Sequence, residues 1–363
     1  MKPARILVAT GASGGHIFPA LAFLEALKDK YPQAKTLLLL PEKSKTKVRI
    51  DEDEFDTRYI SLSSVSAGIN RESIKSFLAA IRGILQSIRA LLKFHPDIVV
   101  GFGSAASVPA VIFGWLLRAK TIIHEQNVIP GKATRLLAEF SDKIAISFEA
   151  SRGYFKRHQD KIVLTGNPLR KQMAPVAKDA ALGYFKFDKN KLTVLVMGGS
   201  QGSRRINEEF LNALTLLSDK QKLQVIHLSG RQDYVRLKER YQASGVSFAL
   251  FDFFGPMNYA YCAADIALSR SGATTAAELI FFALPAMLSP YPYAYDHQHK
   301  NAKALEEKGC AFIIKDQDLN RQLLKEKLEA LIADRSLLEK MRRSYSGFKV
   351  EDAAGLLVKE ALS

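Results

Sequence analysis

Residues 5–22 read RILVATGASGGHIFPALA. A short β-branched and leucine-rich run ends in a turn containing Gly11, Gly14 and Gly15, and an apolar helical pattern then resumes. A strand running into a glycine turn and out into a helix is the opening unit of a parallel α/β sheet. The same unit recurs at residues 192–203, LTVLVMGGSQGS. Short strand-like runs alternate with helical patterns throughout. The first series is RILVAT, TLLLL, TRYISL, DIVVGFG, TIIHEQ, KIAIS and IVLTG, and the second is LTVLVMGG, VIHLSG, VSFALF, DIALSR, PAMLSP and AFIIK. Two such series in 363 residues predict two doubly wound parallel-sheet domains of the Rossmann-like kind, facing a cleft at the carboxyl ends of their strands. The expected boundaries are 1–166 and 167–349, because Asn167 and Pro168 end a strand and open a polar connector. A last helix within 350–363 is expected to pack back on the first domain.

Composition narrows the function classes. The formal charge of +15 and a pI near 9.6 call for anionic partners, either phosphorylated substrates or an acidic membrane surface. No nucleic-acid module stands out, and the basic residues are spread widely, so nucleic acid is not an expected partner. Cys262 and Cys310 are the only cysteines and are far apart, which fits packing in a reducing compartment better than a disulfide or zinc site. The opening MKPARILVAT has too short an apolar segment for a secretory signal, so the expected location is the cytoplasmic side. Residues 98–117 carry no charge and have the length of a membrane span, but Gly101, Gly103, Ser104, Ser107 and Pro109 break them into strand, turn and helix.

A helix start after a glycine turn presents unpaired N–H groups and a partial positive charge, a setting for phosphate. Gly11, Gly14 and Gly15 form GxxGG, while Gly198, Gly199 and Gly202 form GGxxG. Neither is the GxGxxG of dinucleotide folds, and Glu42 sits among lysines where a ribose-binding acid is expected, so no nicotinamide or flavin cofactor is expected. A third turn, SRSGATTAAEL at 269–279, places Thr274 and Thr275 at a helix start and Glu278 one turn on, within reach of a ribose diol.

Six stretches, GASGGHIFPALA (11–22), HEQNVIPGKATRLLA (124–138), TGNPLR (165–170), MGGSQGS (197–203), SRSGATTAAEL (269–279) and DHQHKNA (296–302), resemble in order and spacing the MurG family of glycosyltransferases. The resemblance covers nearly the whole chain. It implies a GT-B fold and an inverting enzyme of cell-wall (peptidoglycan) synthesis. The implied reaction moves N-acetylglucosamine from UDP to the 4-hydroxyl of undecaprenyl-diphospho-muramoyl-pentapeptide, at the cytoplasmic face of the inner membrane. It implies that Ser200, Arg170 and the turn Ala273, Thr274 and Thr275 hold the diphosphate and sugar, with Glu278 on the ribose. Phe254 then stands where the family contacts uracil through the backbone. Gln298 reads the donor sugar and Asn127 contacts it from the first domain. Ser13, Gly14 and Gly15 face the diphosphates, and His16 deprotonates the acceptor, kept neutral by the helix start. His124 and Glu125 support the site, with Glu125 the reserve base. Other readings of the same residues are a UDP-N-acetylglucosamine 2-epimerase and a catalytically silent nucleotide-sugar binder at the membrane. The acceptor loop departs from the family's GxGGYxSxP, having Ser104 for glycine and Ala105 for the aromatic residue. Ala283 also replaces a common glycine.

The strings DED (51–53) and DQD (316–318) match a metal-binding DxD pair, but as charged surface stretches away from strand ends, so no metal is expected. In residues 72–96, Ile74, Phe77, Leu78, Ile81, Ile84, Leu85, Ile88, Leu91 and Leu92 share a helical arc of roughly 140°, with Lys75, Arg82, Arg89 and Lys93 beside it. Most of the arc is expected to cover the first sheet, leaving an edge near Trp115 and Arg118 to meet anionic headgroups.

Overall fold

The computed structural model describes residues 3–45, 50, 54–62, 71–199, 201–294, 296–348 and 352–363, without the side chains of 71–74. The chain divides into two compact units, Met1–Lys171 with Val350–Ser363 and Gln172–Lys349. The division falls a few residues after the expected one. Lys171 N donates to Glu25 Oε2 at 2.8 Å and the Arg170 guanidinium lies 4.3 Å from the Phe18 ring centroid, tying the connector to the first unit.

Among the described residues the first unit holds seven parallel strands: β1 (Arg5–Thr10), β2 (Lys35–Pro41), β3 (Thr57–Ile60), β4 (Ile98–Phe102), β5 (Lys120–Glu125), β6 (Lys143–Ile146) and β7 (Ile162–Leu164), in the order β3-β2-β1-β4-β5-β6-β7. The second holds six: β8 (Leu192–Met197), β9 (Leu223–Leu228), β10 (Ser247–Phe251), β11 (Ile266–Ser269), β12 (Ala286–Leu288) and β13 (Ala311–Ile313), ordered β10-β9-β8-β11-β12-β13. Both are doubly wound. The order reverses between β1 and β4 in one sheet and between β8 and β11 in the other, the switch points where such folds bind ligands.

Continuous apolar strands form because a parallel sheet is covered on both faces. Ile6 and Val8 of β1 join Ile98 and Val100 of β4 under the helices Gly14–Lys30 and Ala353–Leu362. The alternating Leu7, Ala9 and Val99 pack on the other face with Leu91, Ala110 and Val111. The terminal helix lays Leu357, Val358 and Ala361 into the first-unit core, and its Lys30–Asp352 and Lys143–Glu360 pairs hold both ends. The uncharged stretch 98–117 resolves into β4, a turn and the helix Ser107–Leu116, and no described helix is long and apolar enough to cross a membrane.

The helix Arg71–Phe94 corrects the expectation for its apolar arc. Phe77, Leu78, Ile81, Ile84, Leu85 and Leu92 are exposed, Ile88 is half-buried, and Leu91 alone of the described arc residues is fully covered. The side chain of Ile74 lies outside the described residues. The inward stripe is instead Gly83, Ser87, Ala90 and Leu91. A Cβ on Gly83 would meet Leu62 Cγ at 2.5 Å, and Ser61 N donates to Gln86 Oε1 at 2.7 Å. Small residues let the helix approach the unit closely, which turns the large ones outward.

Leu357→Ala removes a fully buried side chain and is expected to cost the first unit about 3 kcal/mol. Denaturant unfolding followed separately for each unit checks it, with the second unit's transition unmoved.

Candidate active site

In the first unit, β1 delivers the chain into the Gly11–Ser13 turn. Ser13 is the N-cap of the helix Gly14–Lys30, yet its side chain makes no cap bond. Its Oγ lies instead 2.7 Å from His16 Nδ1, and His16 N donates to Ser13 O at 3.0 Å. The ring of His16 packs on the turn after β4. A Cβ on Gly103, whose φ is +76°, would stand 3.2 Å from His16 Cδ2, 3.4 Å from its Nε2 and 3.6 Å from Thr134 Oγ1.

Glu125 ends β5 and is buried. Its Oε1 accepts from Asn127 N at 2.9 Å and Asn127 Nδ2 at 3.3 Å, and its Oε2 from Gly131 N at 3.0 Å. The Thr134 hydroxyl is a further partner. Burial raises the Glu125 pKa, while these hydrogen bonds oppose the shift. Both oxygens thus tie down the loop of residues 127–134, and the Asn127 amide is held within that loop. His124 is fully buried; its Nε2 lies 2.9 Å from Gly166 O and its Nδ1 3.0 Å from Gln126 Nε2. The ring therefore donates to the carbonyl through Nε2 and accepts at Nδ1 from the amide. Burial lowers its pKa to about 4, so the uncharged ring ties HEQN to TGNP.

In the second unit, the turn after β8 is closed by backbone contact. Gly198 leaves no room for a Cβ against Ser203 N, nor Gly202, at φ +77°, against Ser229 O. Gly199, at φ +88°, borders open space. Ser200 lies outside the described residues. Ser203 caps the helix Arg204–Leu216 by accepting from Ile206 N at 3.5 Å.

The turn after β11 opens the helix Ala273–Phe281. Ala273 is buried at its start, Thr275 lies in the first turn, and Thr274 Oγ1 is buried with no hydrogen-bond partner among the described residues. Glu278 Oε2 accepts from Tyr261 OH at 2.6 Å, and that buried ring stacks on Phe282 at 4.9 Å. Gln298 Oε1 accepts from Tyr291 N at 2.9 Å and Ser271 N at 3.3 Å, so its oxygen is committed to loop backbone while its NH₂ group has no partner among the described residues. Phe254 is buried against Phe251, Phe185 and Tyr184.

Arg270, buried at the end of β11, joins these loops. Its Nη1 donates to Ser289 O at 3.0 Å and Asp316 Oδ1 at 2.5 Å, and its Nη2 to Ser203 Oγ at 2.9 Å. One guanidinium thereby holds the segments that follow β8, β11, β12 and β13. Asp316 is accordingly not the stray surface acid expected of DQD: it follows β13 and neutralises Arg270. DED lies outside the described residues. Sequence reasoning passed over Arg270, although it stands inside a quoted motif, and Tyr261, whose distance along the chain from Glu278 gives no local signal.

The two doubly wound sheets, each with a glycine turn at its switch point, are those of a two-domain glycosyltransferase by the family models that they match. Residues 6–146 match the glycosyltransferase family 28 N-terminal domain and residues 193–357 its C-terminal domain. The UDP-N-acetylglucosamine–N-acetylmuramyl-(pentapeptide) pyrophosphoryl-undecaprenol N-acetylglucosamine transferase of Halothermothrix orenii is 36% identical over 94% of this chain and 93% of its own length. The protein of the same name from Thermodesulfovibrio yellowstonii is 33% identical over 98% and 99%. Among solved structures, MurG of Acinetobacter baumannii superposes with a TM-score of 0.77 at 23% identity over 99% of both chains. A UDP-GlcNAc 2-epimerase from Neisseria meningitidis, bound to UDP-GlcNAc, superposes at 0.68 with 16% identity over 99% of both. The chain belongs to the MurG family of N-acetylglucosaminyltransferases.

Burial lowers the His227 pKa to about 3, as it lowers that of His124 to about 4. Both titrate near 6.5 when unfolded, so the unfolded chain binds more protons as pH falls. Stability should be full above about pH 6.5 and decline toward pH 4, at up to roughly 1.4 kcal/mol per pH unit for each histidine. Urea unfolding at pH 7.5, 6 and 5 checks the sign.

Proposed function

We propose that the chain transfers N-acetylglucosamine from UDP-N-acetylglucosamine to the 4-hydroxyl of the muramoyl unit of undecaprenyl-diphospho-muramoyl-pentapeptide, inverting the anomeric carbon. The observation that carries this reading is relatedness at 36% identity along nearly the whole chain to a transferase named for those substrates. The likeness to an epimerase rests on fold alone.

His16 is the base in this reading. With Nδ1–H donating to Ser13 Oγ, the lone pair is on Nε2, which takes the acceptor proton as the 4-oxygen attacks the anomeric carbon and UDP departs. The Ser13–His16 pairing supports it, because a base works only when its ring is held in one orientation and tautomer. Gly14 and Gly15 present first-turn amides to phosphate oxygens. Glu125 holds the Asn127 loop and is not the base. For the donor, the turns at Gly198–Gly202, Ser200 included, and at Ala273–Thr275 meet the departing diphosphate with amides and the Thr274 hydroxyl. Arg170 adds charge, Glu278 held by Tyr261 takes the ribose, and the Gln298 NH₂ group donates to the sugar. Phe254 sets the backbone beside the base.

The enzyme works as a peripheral protein on the cytoplasmic face of the cell membrane, through the outward face of the helix Arg71–Phe94. Basic Lys75, Arg82, Arg89 and Lys93 flank its exposed apolar residues, and the helix Ser107–Leu116, carrying exposed Trp115 and Leu116, packs beside it. Apolar insertion with basic anchoring is the pattern of reversible docking on anionic lipid.

His16→Ala is expected to leave UDP-N-acetylglucosamine affinity within about twofold while turnover falls about 10²- to 10⁴-fold. Calorimetry and mass-spectrometric product analysis read the two effects. Donor conversion without lipid would instead favour an epimerase, and donor binding with no turnover in the unsubstituted protein a silent binder. For the membrane, Leu78→Gln with Leu85→Gln changes side chains in residues that are 59% and 61% exposed. Sedimentation with phosphatidylglycerol vesicles should fall about tenfold, from the apolar area lost, at unchanged melting temperature.

A further inference from the structure

Six non-glycine residues have positive φ among the described residues: His95, Ser104, Arg118, Lys186, Ala283 and Asp296. Four of them need no special account, since His95, Arg118, Lys186 and Ala283 each stand just past the end of a helix, where a left-handed residue closes the last turn. Asp296 is an aspartate, a type that tolerates this region, at the start of the helix His297–Glu307. Ser104, at φ +69°, ends no helix and is of a type disfavoured there. It follows Gly103, itself at φ +76°, in the turn from β4 to the helix Ser107–Leu116.

The backbone explains the conformation but not the side chain. Ser104 O accepts from Ser107 N at 3.1 Å and Ser107 Oγ at 2.9 Å, closing the turn, and a glycine would close it equally well. What a glycine lacks is the hydroxyl. A Cβ on Gly11 would lie 3.0 Å from Ser104 Oγ and 3.3 Å from His16 Cγ, so this hydroxyl and the imidazole border the same glycine. Ser104 is half-buried, and its hydroxyl has no hydrogen-bond partner among the described residues. A strained backbone therefore presents an unused donor and acceptor beside the base.

We propose that Ser104 is a substrate-contact residue whose hydroxyl hydrogen-bonds the acceptor sugar next to the hydroxyl that His16 deprotonates. This rests on the reading of His16 as base, because that reading brings the acceptor sugar to this place. Single-proton geometry suits it: the hydroxyl donates to a ring substituent oxygen and accepts from a neighbouring O–H or N–H. Strain at the turn is then offset by affinity for the acceptor.

Ser104→Gly and Ser104→Ala separate the two effects, the first removing strain and hydroxyl together, the second the hydroxyl alone. Steady-state kinetics would use UDP-N-acetylglucosamine and a muramoyl-pentapeptide diphosphate bearing a short polyprenyl chain. Both variants should raise the acceptor KM about five- to tenfold, the loss of one hydrogen bond, with donor KM unchanged. Ser104→Gly should also melt about 2–4 °C higher. Unchanged acceptor KM in either variant, or a rise confined to donor KM, overturns the proposal. Failure of the His16 reading shows separately, as wild-type turnover in His16→Ala.

Discussion

Backbone approaching backbone at the carboxyl ends of the strands is the constraint on which both units depend. In the first, Gly11 lies so near the turn after β4 that a Cβ would meet Ser104 Cβ at 2.6 Å. In the second, Gly230 lies against Gln201 O at a distance of 2.6 Å from where its Cβ would stand, and Gly202 lies against Ser229 O. Side chains would force these loops apart. Glycine instead allows two turns to sit side by side, each leading into the N-terminus of a helix, and a compact patch of amides results. Such a patch favours an anion without any charged side chain.

Each unit then fastens its loops with one buried ionisable group, an acid in the first and a base in the second. In the first unit it is the Glu125 carboxylate, surrounded by backbone and side-chain donors of residues 127–134. In the second it is the Arg270 guanidinium, surrounded by the Ser289 and Pro290 carbonyls, Asp316 and Ser203. A buried charge is costly unless every partner is in place, so such a group strongly penalises any loop arrangement that leaves it unmatched. Neutral histidines extend the same logic. His227, between Tyr241 OH and Asn207 Oδ1, joins β9 to two helices, and Asn207 Nδ2 passes the chain on to Ser229 O beside Gly202.

Where the sequence was legible, a short-range pattern carried the information. Among the described residues each of the thirteen strands overlaps one of the apolar runs, ten lying wholly inside and β2, β5 and β9 starting one or two residues earlier, because buried parallel strands are continuous apolar segments with glycine or polar ends. The order of the strands follows from the doubly wound class. The side of a helix that faces the sheet was not legible for Arg71–Phe94. Periodicity finds an apolar arc but cannot tell a core face from an outer one when small residues such as Gly83, Ser87 and Ala90 line the true contact. The pairings of Arg270 with Asp316 and of Tyr261 with Glu278 were likewise out of reach, since they form only once distant loops are folded together.

Topology explains why many of the candidate residues cluster at the switch-point loops, although Glu125, Asn127, Arg170, Phe254 and Gln298 lie on other segments. Neighbouring crossovers at a switch point leave in opposite directions, so the loops after β1 and β4, and after β8 and β11, are not covered by an intervening helix connection. The first pair supplies His16 and the Gly103–Ser104 turn, and the second supplies the Gly198–Gly202 turn and the Arg270–Thr275 segment. A polar side chain there is reachable while its backbone is anchored in a buried sheet. Held by Ser13 on one side and Gly103 on the other, the half-buried His16 imidazole combines that rigidity with partial exposure.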